Sequence, residues 1–133
     1  MTYVTYIWVA IGGALGSMAR LFVSSSFAKV LGEVFPWGTV IVNISGCFLI
    51  GILATITGPD GRAVVPPDFR QFLLIGICGG YTTFSSFGLQ TLNLLRDGDW
   101  VGAGGNALVS FVACMIAVWL GAVIGQLVNQ VRA

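Results

Sequence analysis

The distribution of charge constrains this chain more than any other feature. Apart from Arg20, every charged residue falls in three short segments, 29–33, 60–70 and 96–99, or at Arg132. The stretches between them, Met1 to Ala28, Val34 to Pro59, Gln71 to Leu95 and Trp100 to Val131, are long and apolar. A helix needs about 20 apolar residues to cross a bilayer, and all four stretches qualify. They predict an all-α membrane protein of four transmembrane helices, at about 4–27, 37–57, 71–95 and 101–129, in a single domain covering 1–133. Only 8% of the residues are charged, against about 25% in soluble domains. The first stretch reads as a span rather than a signal peptide, because no positive charge precedes it and its apolar run is too long for a signal core.

KVLGEVFP (29–36) and RDGD (96–99) read as turns, and GPDGRAVVPPDFR (58–70) as the one loop of any size. Positive residues in short loops set orientation. Here Arg62, Arg70 and Arg132 on one face are nearly balanced by Lys29 and Arg96, with Arg20, on the other. A chain with so little bias can insert both ways round, and its two orientations can pair as an antiparallel homodimer. Glycines spaced for helix packing, Gly12 with Gly16 and Gly46 with Gly51, also point to an oligomer. The formal net charge is +1 with no basic patch, which gives nucleic acid nothing to bind.

The chain has no histidine, and Cys47, Cys78 and Cys114 lie one per span with no neighbour at ligand spacing. Metal-thiolate and Ser–His or Cys–His chemistry therefore lack their parts, and the protein does not read as an enzyme. No Asp, Glu or His occupies the middle of a span. That argues against a proton-coupled small multidrug-type exporter, which needs a titratable group at depth. A passive path remains, alongside a non-transporting scaffold whose polar residues only join helices.

Several polar groups do lie at depth. Asn43 is six residues beyond Trp37, or roughly 9 Å along a helix; it serves either as an interhelical hydrogen bond or as a donor replacing water around an anion. Asn106, Ser110 and Cys114 share one face of the last span. Arg20 either snorkels to the surface or draws anions into a vestibule. The most unusual segment is GGYTTFSSFG (79–88), inside the third span. Its glycine pair and the threonines that follow weaken a helix, so the span is expected to break near 79–83. Carbonyls freed at such a break are tolerated only where protein or a cavity surrounds them, and they suit a hard monovalent cation. Phe84 and Phe87 share a face where the helix resumes; a phenyl ring has a positive edge that can meet an anion.

The segments GTVIVNISGCFLIG (38–51) and GICGGYTTFSSFG (76–88) resemble the two signature segments of the Fluc family of small fluoride channels, and GGALGSMARLF (12–22) resembles its first-span pattern. The resemblance covers essentially the whole chain. It implies an antiparallel, dual-topology homodimer in the cell (inner or plasma) membrane, with two fluoride pores and a structural sodium ion at its centre. Gly79 and Thr82 would supply sodium-binding backbone carbonyls. Phe84 and Phe87 would present ring edges to fluoride, Asn43 would donate to the ion, and Ser85, Ser86 and Ser110 would continue the polar track. Arg20 would stand near the vestibule. The chain departs from the family pattern in TTFSSF, where TTFSTF is common, and at Cys114, where serine is frequent.

Overall fold

The computed structural model describes residues 1–131; Arg132, counted in the charge balance above, lies outside them. Every regular element among the described residues is helical, and four helices are long and apolar enough to cross a membrane. The first span is α1 (Tyr3–Leu31) and the second α2 (Trp37–Ile56). The third is composite: α3 (Pro67–Gln71) runs into a π-helical stretch (Phe72–Cys78) and then α4 (Gly79–Tyr81), and after an interruption the span resumes as α5 (Phe84–Arg96). The fourth is α6 (Trp100–Gln130). Large apolar side chains cover the outside, among them Ile7, Leu21, Phe22, Leu108, Phe111 and Trp119. This is a multi-pass membrane protein.

Two boundaries differ from the sequence reading. α1 carries on past Ala28 to include Lys29, which stands in its last turn, where a cation complements the carbonyl end of the helix dipole. It stops only at Gly32, whose φ of 87° few other residues adopt. The third span starts at Pro67 rather than Gln71: proline suits the first helical position, where no N–H bond is needed. Side chains at its start then tie three spans together. Asp68 accepts from the Thr5 hydroxyl of α1, and Arg70 Nε donates to Thr57 O at the end of α2, 3.1 Å away. At α6 the Asp99 carboxylate caps Gly102 N at 2.8 Å.

The core is made of backbone in contact with backbone. α1 lies against the third span with Gly12 over Gly76 and Gly13 over Gly80, and a methyl added at Gly80 would come within 2.7 Å of Gly13 O. α2 and α6 run parallel and meet the same way, Gly51 beside Val118 and Gly121 beside Phe48. Between lipid tails no hydrophobic gain drives helices together, so close van der Waals approach has to do it, and small residues permit that. The glycine spacing of α1 and α2 therefore serves packing within one chain.

Candidate functional site

The third span breaks at Thr82 and Thr83, both extended (φ −79°, ψ 158° and φ −153°, ψ 117°). The break expected near 79–83 thus falls at the threonines, while the glycine pair of that segment stays helical. Its intrinsic cost, about 1 kcal/mol per glycine, is offset by the approach to α1 that Gly80 allows. What holds the chain open is Asn43 on α2. Thr83 N donates to Asn43 Oδ1 at 2.8 Å, and Asn43 Nδ2 donates to Thr83 O at 3.0 Å. A primary amide has the same donor and acceptor as a peptide, so one side chain satisfies both backbone groups of a non-helical residue.

Threonine side chains close the two helix ends. Thr82 Oγ1 donates to Cys78 O at 2.8 Å, and Thr83 Oγ1 accepts from Ser86 N at 3.2 Å as the N-cap of α5. In an unbroken helix Thr83 N would bond Gly79 O, and Ser86 N would bond Thr82 O. Both donors are diverted here, so the carbonyls of Gly79 and Thr82 are released from their helical partners.

Below the break a cleft of about 550 Å³ opens between α2, α5 and α6, with Asn43, Phe84, Phe87, Ser110 and Cys114 on its walls. The Phe84 and Phe87 rings lie 5.3 Å apart, tilted by 46°. Phe84 is 82% exposed, so within one chain neither ring is sealed in a core. Ser110 is anchored by a relay: it donates to Asn106 Oδ1 at 3.3 Å, Asn106 Nδ2 donates to Thr91 Oγ1 at 2.9 Å, and Thr91 donates to Phe87 O at 2.8 Å. Asn106 is buried, and the relay couples the last span to the carbonyl of one of the two phenylalanines.

The description "CrcB-like protein, Camphor Resistance (CrcB)" belongs to the family model that matches residues 7–122, nearly the full length. The chain belongs to this family. Three relatives named fluoride-specific ion channel FluC agree with it. The one from Methylocella silvestris is 53% identical over 127 residues, 96% of this chain and 97% of its own length. That from Rhodospirillum rubrum is 54% identical over 126 residues, covering 95% and 98%. That from Opitutus terrae is 53% identical over 127 residues, covering 96% of each.

Not every site residue read from the sequence of this CrcB-family chain meets at the cleft. Asn43, Phe84, Phe87 and Ser110 do. Ser85 and Ser86 instead gather round Thr83 Oγ1 in the first turn of α5, at 3.3 and 3.1 Å. Arg20, half-buried one turn beyond Gly16 on α1, lines neither this cleft nor a second one of about 670 Å³. That second cleft opens where α1 meets α2 near the end of α5, between Lys29, Thr39, Gln90 and Asp97. Gln90 Oε1 is buried there without a protein partner among the described residues. Sequence spacing also missed two features. Thr83 is a backbone ligand of Asn43 as well as a helix weakener, and Cys47 and Cys114, which lack neighbours along the chain, line the same cleft.

Proposed function

We propose that this chain is a fluoride-selective channel that lets fluoride leave the cytoplasm passively, as the names of its relatives suggest. The observation that carries the reading is the break at Thr82–Thr83, clamped by Asn43 beside a cleft that holds two phenyl rings and a hydroxyl. Fluoride gives up a tightly held hydration shell only where donors replace it. Asn43 Nδ2 keeps a second N–H after bonding Thr83, Ser110 can turn its O–H to the ion by releasing Asn106, and Phe84 and Phe87 offer ring edges. Ser85 and Ser86, in the first turn of α5, continue the polar track, and Arg20 raises the anion concentration near the entrance. None of these groups is a carboxyl or an imidazole, so flow follows the electrochemical gradient without proton coupling. A multidrug-type exchanger has no carboxylate at depth to work with.

The active unit in this reading is an antiparallel homodimer in the cell membrane. The exposure of Phe84 supports it, since a second chain would cover a ring that one chain leaves open. The released carbonyls of Gly79 and Thr82 fit a hard monovalent cation, and a copy from each chain would hold a sodium ion at the dimer centre. The sodium is structural: its role is to join the two breaks, and fluoride does not pass through it.

Liposomes loaded with potassium fluoride and reconstituted with the protein should release fluoride once a potassium ionophore is added, and should retain chloride. Equal loss of both anions would remove selectivity from the proposal. Phe84→Ile should abolish fluoride release while the protein still assembles; undiminished flux would take the ring out of the path.

A further inference from the structure

Cys47 on α2 and Cys114 on α6 stand at the same level of the contact between two parallel helices and line one cleft. One turn further along, the backbones themselves touch: a methyl at Gly51 would strike Val118 O and lie 2.9 Å from Ala122 N. Both cysteines line the cleft that holds Asn43, Phe87 and Ser110, and neither is fully buried. The third cysteine, Cys78, is on the third span and is buried.

We infer that Cys47 and Cys114 form a two-thiol site for a soft cation that prefers two ligands in a line, with Hg²⁺ as the best fit, and that the bound metal plugs the cleft. Thiolate sulfur selects soft cations. A tetrahedral ion such as Zn²⁺ needs four ligands, and no group of three or more His, Cys, Asp or Glu side chains stands together among the described residues. On binding, both S–H bonds break, two S–Hg bonds form, and two protons leave to water. The bis-thiolate complex of a divalent ion is neutral, so no net charge is left in an apolar setting where it would be costly. The site lies one turn from both Asn43 and Ser110, along α2 and α6 respectively. Its effect on flux rests on the channel reading, whereas the binding itself does not.

Detergent-purified full-length protein titrated with Hg²⁺ should take up one metal per chain with loss of two protons by intact mass. It should show sulfur-to-mercury charge-transfer absorbance and keep the metal against excess 2-mercaptoethanol. Cys47→Ala and Cys114→Ser should each lose the metal to that competitor, because one sulfur alone exchanges freely. Cys78→Ala should hold it like the parent, and Zn²⁺ should not displace it. Retention by either single variant, or loss from the parent, would overturn the site. In liposomes the loaded parent should release fluoride at least tenfold more slowly than the metal-free protein. Tight two-sulfur binding with unchanged release would overturn the plug. If the metal-free parent moves no fluoride at all while two-sulfur binding holds, the channel reading and the plug both fall and the metal site stands.

Discussion

At the scale of single residues, Asn43 performs two tasks with one amide. Its Oδ1 takes the Thr83 N–H that the break diverts from Gly79 O, its Nδ2 adds a bond to the Thr83 carbonyl, and only its remaining N–H is available to an ion. Asn43→Ala would orphan a backbone N–H in a low-dielectric interior, at about 1–3 kcal/mol. The thermal midpoint in detergent should fall clearly and fluoride release should be lost. Ser45→Ala is the control on the same helix. The Ser45 hydroxyl bonds back to Ile41 O and meets Tyr81 OH at 2.9 Å, so its removal should cost about 1 kcal/mol and leave release in place. Equal damage from both substitutions would mean that Asn43 is ordinary helix glue. The amide was legible in the sequence as a polar group at depth, with an interhelical bond as one of its two readings. Its partner was not, because nothing along the chain tells an asparagine forty positions away which peptide it will meet.

At the scale of elements, the third span holds the largest share of what the sequence could and could not convey. The place of its break was readable from the threonines after the glycine pair. The cause was readable only in part: the threonines do cap the two helix ends, but the glycine pair stays helical because Gly80 is decided by α1. The π-helical stretch Phe72–Cys78 has no compositional mark at all. The widened turn accommodates an extra residue in the register just where Gly76 meets Gly12. Paired substitutions separate packing from propensity. Gly80→Ala places a methyl 2.7 Å from Gly13 O, whereas at Gly88 nothing lies within 4 Å. Overpacking costs about 1–3 kcal/mol, so Gly80→Ala should destabilise the protein in a detergent melt and slow fluoride release. Gly88→Ala should be neutral or slightly stabilising within the monomer; a reversed order would deny the backbone contact its role.

At the scale of the whole molecule, one chain presents its cleft half open. Apolar residues cover nearly every outward face, as lipid requires, and the exposed Phe84 follows directly on the break, where Gly79 and Thr82 have lost their helical partners. An unpaired carbonyl at membrane depth is expensive, and in the proposed assembly a second copy with a cation would cover this point. Light scattering in detergent should give twice the chain mass. Prolonged exchange of sodium for a bulky organic cation should then reduce fluoride release without unfolding the helices. A conducting monomer would contradict this, as would indifference to sodium over long incubation. The four spans were legible because burial in lipid is written in composition. For the proposed assembly the sequence offers only loop charges too balanced to choose a side.

The paired amide at the kink amounts to a single rung of sheet-like bonding in a wholly helical protein. Straightening the third segment would require tearing that rung away. An aspartate in that place offers no donor, and a glutamine carries its amide too far, so the kink is gauged by the length of one methylene.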